Sequence, residues 1–308
     1  MKISIEKLKR SINLNFIFPE SKSARQSSFE ELAQKYKDVD IFSLGKSILG
    51  EDITCVRIGR GNKNIISVAA HHGMEYISAA ALFDVILKFA ENLTRSRTYY
   101  GINLSFLLQK FTFWFVPCLN PDGVDLAISG AMPNPLYDRQ LRMNGSLDFS
   151  SWQANARGVD LNHNYDFRFF EYKRIEEEEG ILPGKTRYSG EYPESEPETV
   201  ALLKLIRTIS PKLIISLHTQ GEEVFFRPRK SKKAQRLAKS CAEILDYKLS
   251  IPEGLADYGG LSDYAGEALG IPSLTIELGK GENPLPKAQL PAIAERLLKL
   301  HVLLPTLM

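Results

Sequence analysis

The sequence predicts an α/β protein with helices on both faces of one sheet. Short apolar runs of strand length recur along the chain, and helical segments alternate with them. No Gly/Ser/Pro linker is long enough to separate two domains. Residues 28–308 are therefore predicted to form one domain. Residues 1–27 are polar and weakly patterned, and they are predicted to form a peripheral N-terminal arm.

In the first half of the chain, Ser28-Phe-Glu-Glu31 fits a capping box and predicts a helix that ends near Lys37. Residues 77–90 are apolar on most faces, which is typical of a helix covered by its neighbours. The sequence Asn120-Pro-Asp-Gly123 predicts a turn after Pro117. The strands predicted in this half are 41–44, 53–58, 65–70 and 111–116.

In the second half, residues 130–190 are polar and irregular, and a connection of this length predicts a functional surface. Ser195-Glu-Pro-Glu198 fits a second capping box, with proline in the first turn of a helix that reaches about residue 209. The remaining predicted strands are 213–217, 224–227 and 273–278, and the remaining predicted helices are 234–247 and 290–303.

Composition excludes several classes of protein. Of 308 residues, 44% are hydrophobic and 25% charged, which is typical of a globular protein, and a net charge of +2 argues against a nucleic-acid or membrane-surface partner. The three cysteines, Cys55, Cys118 and Cys241, form neither a disulfide framework nor a zinc pair. No apolar run approaches the roughly 18 residues of a membrane span, and charged residues interrupt the first twenty positions. A cytoplasmic protein is expected.

A metal site is indicated where the strand 65–70 runs into His71-His72-Gly-Met-Glu75. An imidazole and a carboxylate three residues apart can reach one metal ion, and Gly73 lets the backbone bend between them. The spacing leaves open whether His71 or His72 is the ligand.

Two further strands end in residues of the same chemistry, His218 and Glu277. Ligands of open α/β sheets bind beyond the carboxyl ends of the strands. Two histidines and a glutamate with one open position form a catalytic zinc arrangement, and a second glutamate can activate water. His71 and His301 are left unassigned, and a structural role is the alternative interpretation of both.

The order of these motifs resembles the zinc metallocarboxypeptidases of the carboxypeptidase A type, over residues 28–304. The landmarks are His72-x-x-Glu75, Asn120-Pro-Asp-Gly123, Gly158-Val-Asp-Leu-Asn-His-Asn164, Ser195-Glu-Pro-Glu198, Ser216-Leu-His218 and Thr275-Ile-Glu277. Two stretches look like the bacterial subfamily that cleaves γ-D-glutamyl-meso-diaminopimelate bonds. They are Asn155-Ala-Arg-Gly-Val-Asp-Leu-Asn-His163 and Glu277-Leu-Gly-Lys-Gly-Glu-Asn-Pro-Leu-Pro286.

The resemblance implies a three-layer α/β/α fold with a mixed, twisted central sheet and one zinc ion at its carboxyl edge. The implied zinc ligands are His72, Glu75 and His218. Glu277 matches the general base, which then passes the proton to the leaving amine. Asp160 matches the carboxylate that accepts the other ring N–H of the first ligand histidine. Asn162 matches the side chain that binds the terminal carboxylate of the substrate.

Three positions depart from the family pattern. His163 stands where peptide-cleaving members usually carry an arginine that clamps the terminal carboxylate, and neutral histidine is a poorer clamp. Gln153 stands where a cationic side chain usually stabilises the oxyanion, and Arg157 is a candidate to compensate for it. The mobile tyrosine of the family has Tyr258 as its candidate here, with Tyr264 as the other possibility.

The resemblance implies a zinc metallopeptidase acting on γ-D-glutamyl-meso-diaminopimelate bonds of cell-wall muropeptides. The alternatives are a general metallocarboxypeptidase and a catalytically weak zinc-containing peptide-binding protein. Residues 227–236 hold six basic residues, interpreted as a solvated loop or as an attraction for an anionic substrate. The absence of interleaved aromatic residues in this stretch argues against nucleic acid.

Overall fold

The computed structural model describes residues 21–227 and 232–308, and eight of its strands form one mixed sheet. These are β1 (Asp40–Lys46), β2 (Asp52–Gly59), β3 (Lys63–Ala69), β6 (Phe111–Val116), β7 (Leu213–Thr219), β8 (Glu223–Phe225), β9 (Lys248–Ser250) and β10 (Ser273–Leu278). A separate hairpin consists of β4 (Thr98–Tyr99) and β5 (Ile102–Asn103). The strand order of the large sheet is β1-β2-β6-β3-β7-β10-β8-β9.

The centre of the sheet is parallel, because β6, β3, β7 and β10 all run in the same direction. β1 and β2 on one side pair antiparallel, as does β8 with β10 on the other. The carboxyl ends of β3, β7 and β10 therefore lie at the same edge of the sheet, as the sequence predicts for its metal site.

Ten α-helices lie among the described residues. They are α1 (Lys22–Lys35), α2 (Tyr76–Thr94), α3 (Leu104–Lys110), α4 (Pro121–Ser129), α5 (Tyr137–Asn144), α6 (Phe169–Glu179), α7 (Pro197–Ile209), α8 (Lys232–Leu245), α9 (Leu261–Glu267) and α10 (Leu290–Leu303).

The helices cover both faces of the sheet and bury two main cores. Alternation along β3 shows the division: Ile65 and Ala69 pack with α2, α8 and α10, whereas Ile66 and Val68 face α7 and α9. This arrangement confirms the predicted three-layer α/β/α class with a mixed sheet. The helix predicted over 290–303 and the strands predicted over 111–116 and 273–278 have those bounds.

The start of the first helix was predicted wrongly. Helix α1 begins at Lys22, and Ser21 caps it by accepting a hydrogen bond from the Ala24 N–H at 3.1 Å. Ser28 lies inside the helix and donates to the carbonyl of Ala24, so it does not cap a helix start. Residues 1–20 of the predicted arm lie outside the described residues, and the boundary at residue 28 stays a prediction.

Two other motifs have roles different from those predicted. Asn120 caps α4 through the Gly123 N–H, and Pro121 occupies the first turn where it needs no donor, so the segment opens a helix rather than a free turn. Ser195 makes no helix cap, because its hydroxyl donates to Glu196 and accepts from Asn164. The long segment 130–190 contains helices α5 and α6.

Residues 228–231 of the predicted basic stretch lie outside the described residues. Helix α8 ends two residues earlier than predicted, and β9 follows it. None of the helices in the described ranges has the length and apolar character that crossing a membrane requires.

A buried group of carboxylates ties the turn after β1 to the starts of α4 and α7. Asp122 accepts from the Ser47 hydroxyl at 2.8 Å and the Leu49 N–H at 2.9 Å. Glu198 accepts from the Ile48 N–H and from Asn155, each at 3.3 Å. Burial raises the pKa of Glu198 to about 8, and repulsion from nearby acidic groups contributes.

We expect Glu198→Gln to change how stability depends on pH. Between its ordinary pKa of 4.5 and about 8, the folded chain holds a proton on Glu198 that the unfolded chain has lost. Wild-type stability from this group therefore falls as pH rises through that window, by on the order of 1 kcal/mol per pH unit. Urea unfolding of both proteins should show that the free energy of unfolding of the variant rises relative to that of the wild type between pH 5 and pH 8.

The matched control for this experiment is Glu178→Gln, which changes an exposed glutamate. The free energy of unfolding of this control should show the same pH dependence as that of the wild type. A Glu198→Gln difference that stays constant across the window would contradict the assignment of a protonated Glu198.

Candidate metal centre and active site

Three neighbouring strands carry the candidate site residues to one edge of the sheet. β3 pairs in parallel with β7, and β7 with β10, in a register that sets His218 beside Glu277. His72 follows the end of β3 and precedes a short 3-10 turn, Gly73–Glu75, that returns the glutamate side chain to the same place.

The three predicted metal ligands converge. Nδ1 of His72 lies 2.8 Å from Oε1 of Glu75, and Nδ1 of His218 lies 3.2 Å from Oε2 of Glu75. The two Nδ1 atoms are 3.3 Å apart. Two nitrogens bound to one tetrahedral zinc at about 2.0–2.1 Å are separated by about 3.3 Å, so this donor set fits zinc. All three side chains are buried.

The outward ring nitrogens of both histidines have partners. Nε2 of His72 donates to Oδ1 of Asp160 at 3.1 Å, and Nε2 of His218 lies 3.1 Å from the Ser216 hydroxyl. These contacts place the ring protons on the outer nitrogens and leave the Nδ1 lone pairs facing Glu75. The role of Ser216 was not predicted, although its position two residues before His218 puts it on the same face of the strand.

A family model described as zinc carboxypeptidase matches residues 26–299. The chain belongs to the zinc carboxypeptidase family. It is a zinc metallopeptidase by that membership, as the order of its motifs predicted.

Known proteins of this kind resemble the chain over most of its length. Gamma-D-glutamyl-L-diamino acid endopeptidase 1 of Lysinibacillus sphaericus is 28% identical over 280 residues, which is 90% of this chain and 69% of that protein. The structure of carboxypeptidase A from Helicoverpa armigera superposes with a TM-score of 0.68 at 21% identity, covering 92% of this chain and 72% of that one. The structure of murein-tripeptide amidase from Escherichia coli O157 superposes with a TM-score of 0.51 at 23% identity, covering 84% of this chain and 91% of that one.

The ligand loop of this zinc carboxypeptidase is held by close backbone contacts. The Gly73 N–H donates to the Gln153 carbonyl and the Met74 N–H to the Trp152 carbonyl, both at 2.9 Å. A Cβ at position 73 would lie 2.2 Å from the Gly123 carbonyl oxygen, so only glycine fits. The Asn120 amide donates to the His71 carbonyl at 2.9 Å, which joins the capping motif to the metal loop.

Glu277 is the second carboxylate of the centre. Burial raises its pKa well above the ordinary value, and the Glu75 carboxylate raises it further against the opposing effect of the His72 ring. A carboxyl group with a raised pKa can both accept and return a proton near neutral pH. Its environment therefore suits general acid–base work, which stays a prediction for this residue.

The structure places the two candidate oxyanion donors differently. Oε1 of Gln153 accepts from the Thr186 hydroxyl at 2.7 Å, which leaves its Nε2 as the donating end of the amide. The Arg157 guanidinium donates to Glu196 at 3.0 and 3.1 Å and to the Ser195 carbonyl. This arrangement favours Gln153 over Arg157 as the donor.

Asn162 and Glu277 line one pocket, together with residues of β8, α9 and β10. Oδ1 of Asn162 accepts from the Leu261 N–H at 3.3 Å, so its Nδ2 remains a donor for a carboxylate. Asp160 accepts from the Asn162 N–H at 3.1 Å, and one carboxylate thus positions both the first ligand histidine and the predicted substrate-binding residue.

His163 does not replace the usual arginine. Its ring stacks on Tyr172 with centroids 4.2 Å apart, and its Nδ1 donates to the Tyr258 carbonyl at 2.9 Å. Burial lowers the pKa of His163 in spite of the Asp160 carboxylate. With its proton on Nδ1, the neutral ring presents only an acceptor at Nε2 and cannot bind a carboxylate there.

Tyr258 lies on the loop beside His163. A Cβ at Gly259 would lie 2.8 Å from the Cα of His163, so this loop approaches the histidine backbone closely. The Arg168 guanidinium covers the Tyr258 ring at 4.2 Å. Tyr264 instead packs in the core, and its hydroxyl accepts from Arg207. A role for Tyr258 over the substrate stays a prediction.

The two remaining buried histidines make structural contacts. His301 bonds Ser67 at 2.8 Å and the Leu297 carbonyl at 2.7 Å, far along the sheet from the ligands. His71 stacks beneath His218 and bonds the Tyr165 hydroxyl at 2.9 Å. The structure thus brings His72, and not His71, together with Glu75 and His218.

We expect Asp160→Asn to weaken zinc binding about 10- to 100-fold, because the His72 ring loses a carboxylate that fixes its tautomer and raises its basicity. Competition with a fluorescent chelator measures the zinc dissociation constant, and circular dichroism checks the fold. Asp166→Asn, at an exposed aspartate six residues away, is the control. A zinc affinity equal to that of the wild type would remove Asp160 from this role.

Proposed function

We propose that this zinc metallopeptidase hydrolyses the γ-D-glutamyl-meso-diaminopimelate link of muropeptides. The carrying observation is one pocket that is lined both by Glu277, beside the metal ligands, and by Asn162. A leaving residue can thus place its amine at the base and its carboxylate at the amide. The substrate class is supported by the relative from Lysinibacillus sphaericus, whose name states cleavage at a γ-D-glutamyl-diamino acid bond.

Bound zinc would supply a Lewis acid that activates water and polarises the scissile carbonyl. His72, Glu75 and His218 would hold one ion, which leaves an open position in the coordination shell. Glu277 would take the proton of the attacking water and deliver it to the departing amine. Its raised pKa suits both halves of that transfer.

The side chains around the metal centre would orient the substrate. Nδ2 of Asn162 would donate to the carboxylate of the leaving residue, while the amide of Gln153 would donate to the developing oxyanion. The turned ring of His163 makes no such contact with a carboxylate. Position 163 therefore supplies no arginine for the main-chain carboxylate of a peptide, which favours a substrate held by additional groups over a general carboxypeptidase substrate.

A second candidate function is that of a catalytically weak zinc protein that binds peptides. The observation that favours it is Gln153, a neutral amide at a position where the family usually has a cation. The environment of Glu277 argues against it, because a second carboxylate lies beside the His72, Glu75 and His218 cluster. The two functions differ in turnover and can be separated by experiment.

Mass spectrometry of L-Ala-γ-D-Glu-meso-diaminopimelate should show release of free diaminopimelate by the zinc-loaded protein. A chelator should abolish the release, and added zinc should restore it. Glu277→Gln should lower kcat by about 10²–10⁴-fold because the general base is lost, while it still binds zinc. Glu243→Gln, at an exposed helical glutamate, should match the wild type.

Cleavage of simple C-terminal peptides but not of this tripeptide would support the general metallocarboxypeptidase instead. Zinc binding with no cleavage of either substrate would support the binding protein.

Gln153→Ala should lower kcat by about 10²-fold with a smaller change in KM, since an oxyanion donor acts in the transition state. Thr186→Ala should cause a smaller loss, because it frees the amide without removing it. Gln26→Ala, on the exposed face of α1, serves as the control. A large gain in turnover on Gln153→Arg would instead indicate that this chain has drifted from catalysis.

A further inference from the structure

An arginine and an aspartate from separate elements line the same pocket as Glu277 and Asn162. Arg227 follows β8, and Asp263 lies in α9. The other described lining residues include the hydroxyl-bearing Ser262 and Thr275. The wall of the pocket thus combines charged and hydroxyl groups with the apolar residues Phe225, Phe226 and Pro252.

The Arg227 guanidinium is held along one side. Its Nε donates to Oδ1 of Asp263 at 3.0 Å, and its Nη2 donates to the Asp257 carbonyl at 3.1 Å and pairs with the Asp257 carboxylate. The ring of Phe167 lies beneath it, with the centroid 5.4 Å from Cζ. Within residues 21–227 and 232–308, Nη1 makes no hydrogen bond, so a fixed guanidinium keeps donors for a ligand.

Charges of opposite sign alternate along this wall. Arg168 pairs with Asp257, Asp257 with Arg227, and Arg227 with Asp263. Arg168 also pairs with Glu171, so each cation of this wall has two carboxylate partners. A ligand with a single charge leaves one member of a partly buried ion pair without its partner, whereas a ligand carrying both charges satisfies both members.

We infer that Arg227 and Asp263 bind the distal amino-acid group of the leaving residue, Arg227 its carboxylate and Asp263 its ammonium. This inference rests on the proposed function and names the specificity-determining residues for it. With the amine of the leaving residue at Glu277 and its main-chain carboxylate at Asn162, its side chain extends along the remaining wall. Diaminopimelate carries a carboxylate and an ammonium at the end of that side chain, and lysine carries only the ammonium.

Arg227 also supplies a carboxylate-binding arginine, which is absent at position 163. Since the His163 ring stacks on Tyr172 and donates to the Tyr258 carbonyl, the Arg227 guanidinium, from the segment after β8, provides the arginine–carboxylate contact. The contact is made to the far end of the substrate residue and not to its main chain. Because the arginine binds the far end of the side chain, the pocket selects diamino dicarboxylic acids over ordinary C-terminal residues.

The test compares hydrolysis of two tripeptides, L-Ala-γ-D-Glu-meso-diaminopimelate and L-Ala-γ-D-Glu-L-Lys, by the zinc-loaded protein. The wild type should prefer the first by at least about tenfold in kcat/KM, the effect of one charge-assisted hydrogen bond. Arg227→Gln should lower kcat/KM for the first peptide at least about tenfold and change the second less than about twofold. Arg227→Lys should restore part of the preference, since it keeps the charge and loses the planar fork.

Binding of free products gives a readout apart from turnover. Calorimetry should show that Arg227→Gln weakens the binding of meso-diaminopimelate and leaves the binding of L-lysine unchanged. Asp263→Asn should weaken the binding of meso-diaminopimelate more than the binding of 2-aminopimelate, which lacks the distal ammonium. Arg57→Gln is the matched control, because Arg57 also pairs with an aspartate and lies 5.4 Å from an aromatic ring, Trp114, on the opposite side of the sheet. It should leave every value unchanged.

Three outcomes would overturn the inference. Equal losses on both tripeptides in Arg227→Gln would assign the arginine to the shared main-chain carboxylate or to the fold. Equal cleavage of both tripeptides by the wild type would refute the inference while the proposed function stands. Failure of the wild type to cleave the diaminopimelate peptide would refute the proposed function, and the inference with it.

Discussion

The parallel register of β7 with β10 is the constraint on which the chemistry of this protein depends. It sets His218 beside Glu277, and the pairing of β3 with β7 brings His72 to the same edge. A slip of one residue would turn either side chain to the opposite face of the sheet, away from Glu75. The two apolar cores hold this register, because alternate residues of the central strands are buried among helices on both faces.

Several charged side chains are buried at one edge of the sheet. Two imidazoles and two carboxylates converge there, and Asp160 and Ser216 bond the outward ring nitrogens. Burial alone would raise the pKa of Asp160, but the adjacent His72 ring holds it well below the usual range, and His163 and the Arg187 N–H add to this effect. The precision of the site thus comes from the loops around residues 153–164 as much as from the strands that carry the ligands.

The sequence was sufficient for the fold class and for the strand ends that carry His218 and Glu277, because these depend on periodic apolar runs and on residues at strand ends. The choice of His72 as a ligand came from the resemblance to the family. The sequence failed at Ser28 and Ser195, where the capping-box pattern is present but each hydroxyl bonds a different neighbour. It also left His71 and His72 open, since adjacent residues on a turn differ only in where their rings point. Contacts between distant segments, such as Thr186 with Gln153, leave no local signal in one sequence.

The position of an arginine within a site matters more than its presence in the family pattern. A guanidinium directly after Asn162 would bind the main-chain carboxylate that all peptides share. Arg227 approaches the same pocket from the end of β8, where Asp263 and Asp257 fix its plane. A cation already balanced by two carboxylates attracts a simple anion weakly and recognises a group that offers both charges. Moving the arginine from one wall to another therefore changes what is selected while the metal ligands and the base remain as they are.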